Sequence, residues 1–369
     1  MQKRIKSIVL TGGPCAGKSS AISRIEQELN DVRYKVIIIP EAATEIMNNG
    51  IRPHKNLLSD KKFQSILIDY QISREKFYKK IAKEINHEKI IFICDRGVMD
   101  GKAYISNSEF EELLCEKKLN EIGLIDRYDA IFHLQTAAIG AEEFYTLENN
   151  LVREETKEEA AIIDKELMVA WNGHSHLRII DNSTDFETKI NRLVKEIFNF
   201  LGEPVPLKIE RKFLIKMPNL EKMIKHENCR KLQIKQTYLI SNDPKTEKRI
   251  RRRGKDGSYT YYYNISQNIS NLVRLKKEEK ISHKEYMALK LITDESLNEI
   301  EKDRYCFIYN NLYIKLDVYP YWEDTAILEI ELTEKNQQFE IASFIDVIRE
   351  VTNEVSFKNY SIAKQIPVI

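Results

Sequence analysis

The stretch Lys6-Ser7-Ile8-Val9-Leu10-Thr11-Gly12-Gly13-Pro14-Cys15-Ala16-Gly17-Lys18-Ser19-Ser20 decides the fold of the first half of the chain. A short apolar run leads into Gly-x-x-x-x-Gly-Lys-Ser, and the residues that follow read as a helix. Strand, glycine-rich loop and helix in that order predict a P-loop. Gly12, Gly13 and Gly17 let backbone N–H groups converge on phosphate oxygens, with Pro14, Cys15, Ala16 and Ser20 completing the cradle. The start of the helix adds its partial positive charge. Lys18 is expected to reach the β and γ phosphates, and Ser19 to ligate Mg2+. The expected ligand is a nucleoside triphosphate, ATP or GTP. No Asn-Lys-x-Asp motif is present to specify guanine.

Outward from the loop, short apolar runs at residues 5–10, 34–39, 90–94, 130–134 and 178–181 alternate with helical stretches at 18–29, 63–86 and 186–201. That alternation predicts a parallel α/β sheet, whose ligand crevice lies at the carboxyl ends of the strands. Asp95 ends the third strand in Ile-Phe-Ile-Cys-Asp-Arg-Gly, where a P-loop protein places the acid that holds Mg2+ through water. Glu41 follows the second strand in Ile-Ile-Ile-Pro-Glu, so the two acids should be neighbours. Either could be a general base for a substrate hydroxyl, and capping of the next helix is the other reading of Glu41. Arg96 fits a substrate or phosphate contact and equally a structural salt bridge. Arg153, in Leu-Val-Arg-Glu-Glu-Thr, stands where small P-loop kinases carry a lid; a solvated helix face is the alternative. Asn182 falls in the region of a base-binding loop. His174 and His176 lack a third metal ligand and read as loop residues.

The 369 residues suggest two domains. Hydrophobic residues at 42% and charged residues at 31% indicate a globular chain. The formal net charge of +1 leaves no global field for nucleic acid or membrane. No apolar run approaches membrane-spanning length, and the amino terminus has no signal-peptide pattern. Five widely spaced cysteines without C-x-x-C read as reduced thiols. The expected location is the cytoplasm, with peripheral membrane association as an option.

Gly202-Glu203-Pro204-Val205-Pro206 breaks the α/β pattern. The expected organisation is a nucleotide-binding domain over 1–201, a linker over 202–207 and a second domain over 208–369. Alternating runs at 208–216, 231–239, 248–253, 259–265, 272–277, 303–309, 312–318 and 326–332 predict an antiparallel β domain, with helices at 284–292 and near the carboxyl terminus. Residues two apart share a strand face. One face collects Lys208, Glu210, Lys212, Arg249, Arg251, Arg253, Arg274, Lys276, Glu278, Lys302, Arg304, Lys315, Asp317, Glu329 and Glu331. The opposite face holds Val273, Leu275, Ile314, Leu316, Val318, Leu328, Ile330 and Leu332. Periodicity alone is met by an ordinary sheet with its charged face in water, but the count is ten cations against five acids. If the strands curl so that this face lines an enclosed lumen, that density calls for a bound polyanion, held by Lys212, Arg249, Arg251, Arg274, Lys302, Arg304 and Lys315.

These motifs carry two resemblances. Residues 9–15, Pro40-Glu41-Ala42-Ala43-Thr44, Cys94-Asp95-Arg96-Gly97 and residues 181–186 resemble the AAA_28-type P-loop domain, and in particular the TRPL translocation defect family, GTP-binding proteins linked to membrane trafficking in flies. The resemblance implies nucleotide binding. Ile209-Glu210-Arg211-Lys212-Phe213-Leu214, Arg249-Ile250-Arg251, Leu316-Asp317-Val318 and Leu328-Glu329-Ile330-Glu331-Leu332 resemble a CYTH domain, which implies an antiparallel barrel around a triphosphate tunnel. Two acids of that family pattern are lysines here, Lys208 and Lys276. This removes candidate Mg2+ ligands and leaves Glu329 and Glu331 for a single metal site.

Three functions follow as expectations. The first is a regulatory nucleotide-binding protein whose second domain holds a phosphorylated small molecule or a phosphoinositide headgroup. The second is a small-molecule, nucleoside-like kinase, which requires an acceptor pocket between Glu41 and Arg96. The third is a triphosphatase in the second domain.

Overall fold

The computed structural model describes residues 3–54, 57–145, 155–203, 209–226, 228–243, 246–268, 274–333 and 337–367. The chain divides into two compact units, Met1–Ile197 and Phe198–Ile369.

The first unit is built on β1 (Arg4–Thr11), α1 (Lys18–Asp31), β2 (Lys35–Ile39), α2 (Ala42–Asn48), α3 (Asp60–Glu84), β3 (Lys89–Asp95), α4 (Asn107–Glu116), α5 (Glu121–Ile125), β4 (Ala130–Leu134), α6 (Lys157–Ala170), β5 (Leu177–Ile180) and α7 (Phe186–Leu201). The strands form one parallel sheet in the order β2-β3-β1-β4-β5. Ile8, Val9, Leu10 and Ile90 to Ile93 are fully buried, as expected of parallel strands covered on both faces. β1 lies at the centre, so its loop opens in the middle of the carboxyl edge. Register pairs Leu10 with Asp95 and Ile39 with Cys94, which brings the P-loop, Asp95 and Glu41 to one edge. α7 ends at Leu201, and Gly202 follows at φ +79°, a left-handed turn that halts the helix.

The second unit contains β6 (Ile209–Lys216), α8 (Leu220–His226), β7 (Arg230–Leu239), β8 (Thr246–Lys255), β9 (Ser258–Asn268), β10 (Arg274–Ile281), α9 (His283–Lys290), β11 (Ile300–Tyr309), β12 (Leu312–Val318), β13 (Thr325–Leu332), β14 (Val347–Glu350) and α10 (Asn359–Lys364). Its nine strands run antiparallel in the order β10-β9-β8-β7-β11-β12-β13-β6-β14. The sequence reading lacks β14. That strand is four residues long, bulged against β6 and exposed throughout, so it carries no alternation to read.

One face of this sheet is apolar: Phe213, Ile215, Phe307, Ile314, Leu316, Leu328 and Ile330 form a single cluster. The other face bears the charges, yet Arg253, Lys302, Lys315, Asp317, Glu329 and Glu331 are also buried. A sheet buried on both faces while one face is charged must enclose that face. At one end the enclosed face turns apolar: Leu214, Tyr238, Ile300 and Ile327 pack with Trp322, Phe357 and Ile362, and Asn298 N–H donates to the Ala363 carbonyl at 2.8 Å. α10 and the segment before it thus fill one end of the charged interior.

Candidate functional site

Asp164 and Thr136 hold the P-loop from outside. Gly13 N–H donates to Oδ1 of Asp164 on α6 at 2.7 Å, and the Thr136 N–H donates to the same oxygen at 3.1 Å. The other Asp164 oxygen lies 3.1 Å from His133 Nε2. The Thr136 hydroxyl donates to the Pro14 carbonyl. Burial alone would raise the Asp164 pKa, but His133 and the two N–H donors hold it below its ordinary value. Gly12 is required where it stands: a Cβ there would lie 2.1 Å from the Leu134 carbonyl oxygen. Gly17, at φ +87°, caps α1 beneath the ring of Phe186. Lys18 donates to the Gly12 and Gly13 carbonyls at 2.8 and 3.1 Å, which holds its ammonium inside the loop.

The loop opens into a cleft of about 1860 Å3 whose wall includes Cys15 to Ser20, Glu41, Asp95, Arg96, Asn182 and Lys189. Arg96 Nε lies 2.6 Å from Glu41 Oε1, and its Nη1 is 3.7 Å from Asp100 Oδ2. The Thr44 hydroxyl donates to Glu41 Oε2 at 2.8 Å. Burial would raise Glu41, but Arg96, Lys18 and Thr44 outweigh it and hold the carboxyl below the usual range. Asp95 moves the other way: burial raises it, and Glu41 and Asp100 add to the effect. Its Oδ1 is buried without a hydrogen-bond partner among the described residues. Such an orphaned carboxylate oxygen, in the cleft that Ser19 also lines, suits a divalent cation. Asp100, raised mainly by burial, accepts from Thr11 Oγ1 at 2.9 Å and Trp171 Nε1 at 2.5 Å.

Beyond Glu41 and Arg96 the cleft continues into a chamber walled by α2 and α3. Met47, Phe63, Gln64, Leu67, Gln71 and Tyr104 line it. Gln71 Nε2 donates to the Arg96 carbonyl at 3.1 Å, while Gln64 Oε1 has no partner among the described residues. This side of the cleft therefore mixes apolar side chains with polar ones such as Thr44, Asn48 and Asp60, and holds one uncommitted amide oxygen.

In the second unit the register gathers the charged side chains as their alternation predicts: Lys315 and Lys212 both pair with Glu329, Glu331 with Glu210, and Arg304 with Asp317. Arg304 clasps Asp317 with two bonds of 2.6 and 2.7 Å, and Lys302 Nζ reaches it at 2.6 Å. Burial would raise Asp317, but these two cations pull it down to about 2. Burial pushes Lys302 down to about 8. Lys315 pairs with Glu331, and Arg251 with Glu278 at 3.0 Å. Lys212 Nζ stands 3.5 Å from Glu210 and 3.9 Å from Glu329. Ligand oxygens of Glu210, Glu329 and Glu331 lie within 4.8 Å of one another, a group able to hold a metal ion.

Comparison with known proteins bears on the first unit directly. Residues 7–189 match the AAA_28 family model, an AAA domain. The first unit is an AAA_28-type P-loop domain. A thymidylate kinase of Mycoplasma capricolum subsp. capricolum is 25% identical over 211 residues, spanning 53% of this chain and 96% of that protein. Among solved structures, an inorganic triphosphatase is 23% identical over 44% of this chain and 97% of that one, with a TM-score of 0.33. A Pyrococcus horikoshii OT3 protein is 19% identical over 34% of this chain and 80% of that one, with a TM-score of 0.27. At these scores the second unit's architecture rests on its own strand order.

The P-loop domain brings Glu41, Asp95, Arg96, Lys18 and Ser19 together at one cleft. Gly12 and Gly13 do not line the cleft: the Gly13 N–H, expected to face phosphate, donates to Asp164, and the Gly12 and Gly13 carbonyls accept from Lys18. Asn182 reaches the cleft, but its amide is spent within the protein: Nδ2 donates to the Thr136 and Ile139 carbonyls at 2.7 Å each, and Oδ1 accepts from Lys189. Arg153 lies outside the described residues. Arg274 stands on β10 opposite Asn268, and its side chain lies outside what is described. His174 Nε2 is 3.0 Å from the Tyr128 carbonyl, and its Nδ1 accepts the His176 N–H at 3.0 Å. The expected cation excess is smaller than the face count suggests, because Lys302, Arg304, Lys315 and Arg251 are paired with acids. Arg249 makes no ion pair among the described residues. Asp100, Asp164 and Lys189 escape sequence reasoning; Asp100, five residues after Asp95, had only that proximity as a signal.

No helix among the described residues is long and apolar enough to cross a membrane. All five cysteines are free thiols.

Proposed function

We propose that the P-loop domain is a Mg2+-dependent phosphotransferase that moves the terminal phosphoryl of ATP or GTP to a small, nucleoside-like acceptor. The observation that carries this reading is the chamber beyond Glu41 and Arg96, which is open to the P-loop rather than filled by side chains. A domain that only binds or slowly hydrolyses a triphosphate has no need of it. Similarity to a thymidylate kinase over the same half of the chain supports the same reading. Ser19 and Asp95 would hold Mg2+, which would neutralise charge on the phosphates. Glu41, kept ionised by Arg96, would accept the acceptor's proton, and Lys18 would bind the phosphates. The test is a phosphoryl-transfer assay with Mg-ATP or Mg-GTP against a panel of nucleosides and nucleoside monophosphates. Turnover to free phosphate alone, with no acceptor phosphorylated, would favour the regulatory NTPase reading.

For the second unit we propose binding of a polyphosphate or phosphorylated small molecule in the enclosed charged face. Arg253, buried on this face, and Arg249, uncommitted to any described acid, support it, while Lys302 and Lys315 are already paired with Asp317 and Glu331. Glu210, Glu329 and Glu331 would hold a divalent cation alongside. Calorimetric titration of inorganic triphosphate with and without Mn2+ tests this, using Glu329→Gln and Glu331→Gln. Unchanged cation dependence in both variants would remove the metal from the proposal.

A further inference from the structure

Lys189 belongs to no motif, yet it is buried and lines the same cleft as the P-loop. It donates to the Gln135 carbonyl at 2.6 Å, to Asn182 Oδ1 at 2.7 Å and to the Ala16 carbonyl at 3.3 Å. An ammonium has three N–H donors, and here each has its own acceptor. The three acceptors come from three segments: the P-loop, the end of β4 and the loop after β5. Asn182, oriented by this bond, passes the tie on to Thr136 and Ile139. One turn earlier on α7, Phe186 presses against Gly17, where a Cβ would come within 2.5 Å of its ring. The first turn of α7 therefore braces the P-loop at both Ala16 and Gly17.

We infer that Lys189 is a positioning residue of the nucleotide site. Its ammonium pins the P-loop and the Asn182 loop in the shape that receives the triphosphate, so nucleotide affinity depends on it although it need not touch the ligand. The inference rests on nucleotide binding by the P-loop, not on phosphoryl transfer, so it stands or falls separately from the kinase reading.

A neutral amine would have two donors for three acceptors, and the brace would loosen. Burial pushes the Lys189 pKa down to about 8. The charged groups facing it are Asp164 of α6 and Asp181 after β5, which favour the ammonium, and Arg192 of α7 and Lys18 of the P-loop, which oppose it. Nucleotide affinity should therefore fall on the alkaline side.

The test is calorimetric titration of the full chain with Mg-ATP and Mg-GTP from about pH 7 to about pH 9.5, in wild type, Lys189→Met and Lys189→Arg. Lys189→Met should weaken binding about tenfold at neutral pH and lose the alkaline fall. Lys189→Arg, which stays charged throughout, should recover most of the loss and show no alkaline fall. Wild-type affinity in folded Lys189→Met overturns the inference. If Lys189→Met does not fold, the arginine variant decides: an alkaline fall identical to wild type assigns the titration elsewhere and overturns it.

Discussion

Arg96 Nε lies 2.6 Å from Glu41 Oε1, so the segments that follow β2 and β3 are joined by an ion pair across the cleft. Arg96 adopts φ +67°, a left-handed conformation costly for a residue with a side chain. Two bonds hold it there: its N–H donates to the Leu10 carbonyl at 2.9 Å, and Gln71 donates to its own carbonyl. The strained backbone aims the guanidinium at Glu41 and Asp100 together.

Glu41→Gln keeps the size of the side chain and removes its charge. If Glu41 takes the acceptor's proton, phosphoryl transfer should fall about a hundredfold or more, with nucleotide affinity altered by no more than a few-fold. Single-turnover transfer and equilibrium titration on the same sample separate the two. A large affinity loss with unchanged transfer would make Glu41 a binding group.

Gly12→Ala introduces a Cβ only 2.1 Å from the Leu134 carbonyl oxygen, at φ +144°. The obstacle is backbone of the central sheet, which cannot rotate away. Nucleotide binding should be lost, with a stability cost of about 2 kcal/mol or more. Denaturant unfolding and nucleotide titration report both.

Asp164→Asn retains shape but weakens three contacts at once, with Gly13, Thr136 and His133. The expected loss is about 2–4 kcal/mol of stability at neutral pH. Because the folded pKa of Asp164 lies below its ordinary 3.8, its contribution is fully present above that pH and disappears as pH falls through the folded value. Urea unfolding at neutral and acid pH should therefore show a smaller gap between wild type and variant in acid.

Asp317→Asn leaves Lys302 and Arg304 buried beside a neutral amide. Removing one partner of a buried ion pair costs about 3–5 kcal/mol, and the same is expected here. With Asp317 held at about 2, its stabilisation persists at moderately acid pH and is lost only as pH approaches that value. Thermal unfolding across this range, in wild type and variant, checks the sign.

Much of this molecule could be read from the chain alone. The Gly12 to Ser19 motif, the strand ends that place Glu41 and Asp95, and the alternation that sorts Lys315, Asp317, Glu329 and Glu331 onto one face are all encoded within a few neighbouring residues. Period and motif spacing are local properties, so they survive without a structure. Which charges remain available is not local. Asp317 takes up Lys302 and Arg304 only because β11 and β12 pair in one register. Asp164 meets Gly13 across 151 residues, and Lys189 meets Ala16 across 173. The cleft beside Arg96 is lined jointly by the P-loop, α2, α3 and the segment after β3, which are distant in sequence. Such features arise where segments distant in sequence pack together, and that packing belongs to the tertiary structure alone.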